Sequence, residues 1–234
     1  QSEGRGVRIL DLGCGAGQGF ELLTRINQKD LNLDDEFRYV LMPDEIELFF
    51  GVDLSQPMIE QGRQNYAGVK NITFRQGDLS EGLGAVKSEP PFDIYFSSYG
   101  ALSHLDTEEL RHCLTDILHH ANPGALVVLD MVGRYSPEWP LYWKGRNGSG
   151  DMHPYSMSYM YDEQERRNGD VEQFPLRFWS GDELRELCGE LGRVHGLSMK
   201  PIEFLDRSIF VGRHVDTREY QCSLPRLRSI VNNL

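Results

Sequence analysis

The chain has 234 residues, 39% hydrophobic and 26% charged, with 24 Lys and Arg against 36 Asp and Glu, a formal net charge of −12. That length supports one domain with a sizeable core, and the acidic balance argues against broad nucleic-acid backbone binding and towards a small-molecule partner. No apolar run approaches membrane-spanning length, no signal-peptide core opens the chain, and Cys14, Cys113, Cys188 and Cys222 form no C-x-x-C pair; the reading is a reduced, cytoplasmic compartment without zinc knuckle, disulfide framework or catalytic metal.

The chain opens on Gln1 and enters its first strand by about Val7, an abrupt start that reads as a trimmed amino terminus. The run Arg8-Ile9-Leu10-Asp11-Leu12-Gly13-Cys14-Gly15-Ala16-Gly17 carries an apolar strand through an acid into three alternating glycines. Glycines at a strand-to-helix turn let the backbone bend sharply and approach a ligand. A dinucleotide fingerprint wants a third glycine three positions after the second, and Gln18 stands there. The pattern Asp11-x-Gly13-x-Gly15-x-Gly17 resembles the first motif of class I S-adenosylmethionine-dependent methyltransferases. That resemblance implies an S-adenosylmethionine cofactor, released as S-adenosylhomocysteine, packing over Gly13, Cys14, Gly15 and Gly17 while Asp11 helps hold its amino group.

Phe20, Leu22, Leu23 and Ile26 continue a first helix, and residues 28–45, rich in Asp and Glu, read as a solvated insertion. A second strand, Glu47 to Asp53, ends in an acid 42 residues after Asp11, about twice the usual spacing in such folds. A carboxylate there can accept both hydrogen bonds of a ribose diol. Ser55 is placed to cap the next helix and Pro57 suits its first turn. The run Gly51-Val52-Asp53-Leu54-Ser55-x-x-Met58-Ile59 is also similar to the family pattern, which adds Asp53, Leu54 and Met58 to the implied cofactor set.

Asn71 to Gln76 reads as a third strand, followed by Asp78 and Leu79. The resemblance implies that Asp78 accepts the adenine amino group and that Leu79 offers its amide; the alternative is a turn aspartate capping a loop. Phe92 to Ser98 reads as a fourth strand leading to Tyr99-Gly100-Ala101-Leu102-Ser103-His104, similar to the fourth motif of small-molecule methyltransferases, with Ser97 in the cofactor set. Asp106 and Glu109 form a capping pair for a helix carrying Leu110, Leu114, Ile117 and Leu118, which Asn122-Pro123-Gly124 ends before a fifth strand, Ala125 to Asp130.

Beyond Met131 the composition changes, with all three tryptophans and five of the ten tyrosines from there through Trp179. Residues 131–178 read as an inserted substrate region, in which Tyr155 to Asp162 and Val171 to Phe178 pair as a hairpin around Asn168-Gly169. Tyr135, Trp139, Tyr142, Trp143, Tyr155 and Tyr159 are the acceptor-facing candidates, suiting an apolar or a cationic acceptor; packing of the insertion is the other reading for each. A helix from Gly181 carries Leu184, Leu187 and Leu191, and Leu197 to Leu205 and Ser208 to His214 read as a closing antiparallel pair. The tail from Pro225 to Val231 is either a docked helix or an oligomer contact, as in a homodimer.

The expected fold is therefore α/β: a Rossmann-like, doubly wound, seven-stranded and mostly parallel sheet in one domain spanning the chain. The resemblance implies in-line methyl transfer to a small-molecule acceptor. His104 and His153 are candidate general bases, with a structural histidine as the alternative for each, and Tyr99 is a candidate for orienting the acceptor. The competing readings are methylation of RNA or protein, a non-catalytic domain that binds the cofactor or its product, an aminopropyl transferase, and an oxidoreductase, the last disfavoured by the glycine spacing.

Overall fold

The computed structural model describes residues 6–27, 39–84, 86–135, 152–156, 161–169, 171–196 and 203–204. The chain divides into two compact units, Gln1–Asp130 and Met131–Leu234. The boundary falls where the sequence turns aromatic.

In the first unit β1 (Val7–Leu12), α1 (Gln18–Thr24), β2 (Ile46–Asp53), α2 (Gln56–Asn65), β3 (Ile72–Gln76), β4 (Ile94–Ser97), α3 (Thr107–His120) and β5 (Leu126–Leu129) follow in chain order. The strands form one sheet in the order β3-β2-β1-β4-β5, with every pairing parallel. The chain winds outward from β1 through β2 to β3, then returns to lay β4 on the other side of β1. The gap between β1 and β4 is thus the topological switch point, where α/β sheets take their ligands at the carboxyl ends of the strands.

The central strand is buried on both faces, with Ile9, Leu10 and Leu12 fully inside and the charged Arg8 and Asp11 buried among them. On one face Ile9, Phe20, Ile46, Phe49 and Phe96 form a buried cluster, with Phe20 and Phe49 edge to face at 5.5 Å. On the other, the buried Tyr95 packs on Phe92 and reaches α3, its hydroxyl 2.7 Å from His120 Nδ1. His120 Nε2 lies 2.9 Å from the Glu89 carbonyl, which can only accept, so Nε2 carries the proton and Tyr95 donates to Nδ1. The Asp106–Glu109 capping box is present as expected, with Asp106 accepting from the amides of Glu108 and Glu109, and Glu109 accepting from that of Asp106.

Four expectations change. The first helix stops at Thr24, leaving Ile26 outside it. The end of the 28–45 insertion is not simply solvated: Tyr39 bridges back to Asn27, and Leu41 packs on the core cluster. Ser55 occupies the cap position of α2, but its side chain makes no capping bond; its own amide is held instead by Asp53. The Asn168-Gly169 hairpin turn is replaced by a helix. Asp162 caps α4 (Glu163–Asn168) by accepting from Gln164 and Glu165, Glu165 reciprocates, and Gly169 follows with a φ of 78°. A capping box followed by a glycine in the left-handed region is a complete helix signal, and here it overrides the turn dipeptide.

In the second unit β6 (His153–Tyr155) and β7 (Phe174–Leu176) pair antiparallel across α4, shorter than expected, and α5 (Gly181–Val194) follows with its own Ser180–Glu183 capping box. Leu176, Phe178, Tyr155, Phe174 and Val132 pack together. Arg134 and Arg177 are both buried and both bind Glu183 Oε1, at 2.7 and 3.1 Å, and Arg177 also lies 4.1 Å over the Trp179 ring. The closing strands expected over residues 197–214 lie outside the described residues, apart from 203–204, as does the tail.

Candidate functional site

The carboxyl ends of β1, β2, β3 and β4 bring most of the motif residues to one edge of the first unit. Gly13, Gly15 and Gly17 all take positive φ values, of 74°, 53° and 95°, a region that L side chains rarely enter. The two outer glycines also have no room: a Cβ on Gly13 would stand 2.4 Å from that of Ala101, and one on Gly17 would stand 2.6 Å from Phe74. Gly15 differs, because a Cβ there would meet nothing nearer than Gln18 Oε1 at 3.7 Å. The loop is packed at both ends and open at its middle.

Asp53 clasps this loop. Its Oδ2 accepts the Gly15 amide at 2.8 Å and its Oδ1 accepts the Ser55 amide at 2.9 Å. The end of β2 is thereby tied to the turn after β1, a link the sequence did not disclose. Each oxygen retains a second acceptor position for a ligand hydroxyl. Leu54 and Met58, 64% and 49% exposed, stand beside it as apolar surface.

Asp11 has a different environment. It is fully buried, neither carboxylate oxygen has a hydrogen-bond partner, and Gly19 leaves space for it, since a Cβ there would lie 2.2 Å from Oδ2. Burial, and secondarily the Asp53 charge, push its pKa up to about 8. Direct contact with a ligand amino group, as the resemblance implied, does not follow from a side chain with no accessible surface. Cys14 is also buried, its thiol raised by burial and then by the charges of Asp11 and Asp53. It is a packing element of the loop against Gly51.

Ser97 is fully buried, and its hydroxyl donates to the Leu12 carbonyl at 2.9 Å, joining β4 to β1 beneath the loop. Asp78 caps a short 3-10 turn, Leu79–Glu81, accepting from both the amide and the hydroxyl of Ser80, while Leu79 is half-buried. The turn-cap reading of Asp78 is therefore realised in this structure. Tyr99 carries a φ of 55°, the positive value found at a non-glycine residue among the described ones, and its side chain is 70% exposed. Its amide donates to Asp130 Oδ2 at 3.1 Å, so the end of β5 holds the turn after β4. His104 ends the following 3-10 turn and is exposed.

In the second unit His153 is half-buried with its ring 5.9 Å from Phe178, and Tyr155 packs edge to face on Phe174 at 5.3 Å. Both side chains contribute to that unit's own core. Tyr135 is exposed. Trp139, Tyr142, Trp143 and Tyr159 lie outside the described residues. Among the described residues no group of three His, Cys, Asp or Glu could hold a metal ion, and no helix is long and apolar enough to cross a membrane.

A family model described as a methyltransferase domain matches residues 3–138. Malonyl-[acyl-carrier protein] O-methyltransferase of Bacillus cereus is 25% identical over 197 residues, covering 83% of this chain and 58% of its own length. The protein of the same name from Bacillus anthracis is 21% identical over 230 residues, with 97% and 66% covered. The chain thus spans less than two thirds of these relatives. Among solved structures, an S-adenosylmethionine-dependent methyltransferase from Clostridium acetobutylicum superposes with a TM-score of 0.51 at 14% identity, over 79% of this chain and 72% of that one, a likeness of fold. With its glycine loop, the acid that clasps it and a family match over more than half its length, the chain belongs to the methyltransferase domain family.

Proposed function

We propose that the chain binds S-adenosylmethionine at the carboxyl edge of its first unit and transfers the methyl group to a small-molecule acceptor. The observation that carries this reading is the Asp53 clasp: a carboxylate at the end of β2, bound to the middle glycine of the loop and flanked by exposed Leu54 and Met58. These residues suit a nucleoside carrying an amino-acid chain. Asp53 has acceptor positions for two ribose hydroxyls, Leu54 and Met58 offer apolar surface for the base, and the open face at Gly15 admits the chain.

When bound, such a cofactor supplies a sulfonium whose methyl group is ready for displacement. The protein's part is to align and to dry the site. Asp53 fixes the ribose end, the glycine loop excludes water by close backbone approach, and Tyr99, held out by Asp130, stands where an acceptor can be oriented. His104 is the first-unit candidate for removing a proton from an acceptor that arrives protonated.

Calorimetric titration with S-adenosylmethionine, S-adenosylhomocysteine and reduced nicotinamide cofactor tests the reading. Binding of the two sulfur compounds alone is the expected result, weakened by at least ~1 kcal/mol in Asp53→Ala; no binding of either rejects it. The similarity to the malonyl-[acyl-carrier protein] O-methyltransferases over 83% of the chain favours a carboxylate on a thioester-linked acyl group as the first acceptor to screen. Methyl transfer from radiolabelled cofactor to malonyl-coenzyme A, set against a panel of amines and phenols, discriminates that class.

A further inference from the structure

Asp11 is a carboxyl group placed where a carboxylate is costly. It sits at the end of the central strand with no accessible surface, and both of its oxygens lack hydrogen-bond partners. An ionised group in such a place has lost its hydration and gained nothing in return. The neighbouring charged group at the end of β2 is a second acid, Asp53, which repels it. Asp53 differs in having two backbone amides on its oxygens.

Among the described residues, Asp53 is the charged group whose field acts on Asp11. The glycine loop contributes Cys14, whose thiol burial keeps protonated. Gly19 of α1 and Phe96 of β4 fill the space beside the carboxyl group, and Tyr95 reaches His120 through its own contact. Tyr66, after α2, donates its hydroxyl to the Gly17 carbonyl. Its pKa is raised by burial first, then by Glu21, with Arg25 opposing and Asp11 adding to the rise. Arg25, which acts on Tyr66, is paired with Glu21 at 3.0 Å. Without a ligand, burial with no partner on either oxygen therefore favours the protonated form of Asp11.

We propose that binding of the cofactor's α-ammonium group over the glycine loop drives the proton off Asp11, so that ligand affinity in this chain is coupled to pH. The proposal rests on the function proposed above. The step is a simple ionisation: the Asp11 O–H bond breaks, the proton passes to the solvent buffer, and the ligand's ammonium group, whose own carboxylate stays with the ligand, offsets the carboxylate left on Asp11. The interaction acts across a dry, low-dielectric interior, so it needs no direct contact between Asp11 and the ligand. Asp11 is thus a positioning and charge-balancing residue. The glycine at position 19 belongs to the same device, because any side chain there would overlap the carboxyl group.

The sign follows from linkage. Ligand binding lowers the Asp11 pKa from its raised value, so protons are released on binding and affinity climbs with pH, by at most about tenfold per unit, levelling above about 8. The test is calorimetric titration of the whole chain with S-adenosylhomocysteine at neutral pH, in buffers of different ionisation enthalpy, for the wild type and Asp11→Asn.

Up to one additional proton released by the wild type is the expected result. Equal release from both proteins overturns the proposal. Should Asp11→Asn fail to fold, infrared difference spectroscopy of the wild type decides: loss of a protonated-carboxyl C=O band on binding supports it, and an unchanged band overturns it. Failure of the wild type to bind S-adenosylhomocysteine at all rejects the cofactor reading, and this inference with it.

Discussion

The two units bury charge in opposite ways. In the second, Glu183 takes Arg134 and Arg177 on one oxygen and the Ser180 amide and hydroxyl on the other. Burial alone would raise its pKa, but those hydrogen bonds and the two guanidinium groups prevail and hold it below the ordinary carboxylate range. In the first, Asp11 has no such partners, and burial pushes it up to about 8. The same functional group is a structural tie in one place and a buried acid shifted towards its protonated form in the other. The difference lies in what the neighbouring elements offer: two guanidinium groups and a helix cap around Glu183, a second acid and a glycine around Asp11.

The harshest way to break this contrast is Glu183→Ala, which strands two buried guanidinium groups. A loss of about 3–5 kcal/mol in urea unfolding is expected, and a loss below ~1 kcal/mol would mean that the arginines do not depend on it. Gly19→Ala probes the other side by forcing a methyl group against Asp11. The crowding is expected to cost about 1–3 kcal/mol, with a smaller combined loss for Gly19→Ala and Asp11→Ala together than the two singles predict. Additive losses would show that the two residues do not meet.

The mildest probe is the pH dependence of stability without ligand. Asp11 is raised in the folded state, so its contribution is fully present below its unfolded value of 3.8 and is lost as pH rises through about 8. Thermal unfolding of Asp11→Asn should therefore lack a downward slope of at most about 1.4 kcal/mol per pH unit that the wild type shows in that window. Identical slopes would place Asp11 among ordinary carboxylates. Glu183 acts in the opposite direction, its stabilisation being lost as pH falls, and it is present in both proteins.

Much of the first unit was legible because its signals are local. Apolar strands ending in acids, the Asp11 to Gly17 run and the Asp106–Glu109 capping pair each lie within a few residues, and each has its expected form. What stayed hidden is long-range. Periodicity says which side chains face inward, but not that Asp53 would clasp Gly15, 38 residues away, or that Tyr95 would meet His120. The fate of Asp11 was equally hidden, since an acid at a strand end reads the same whether it faces a ligand or a glycine on the next helix. In the second unit the Asn168-Gly169 dipeptide misled, because its turn chemistry also serves the end of a helix. The Arg134–Glu183–Arg177 cluster joins residues up to 49 positions apart and left no trace in spacing.

Tyr99 adds a last consequence. A non-glycine residue held at a positive φ costs on the order of 1–3 kcal/mol, and Tyr99 recovers no burial, since most of its ring stands in solvent. Heat resistance and the acceptor-orienting role proposed for Tyr99 therefore pull this position in different directions. Selection for thermal tolerance alone would drift towards Gly or Asn at 99, and a hardened variant obtained that way would have traded away the aromatic ring exposed after β4.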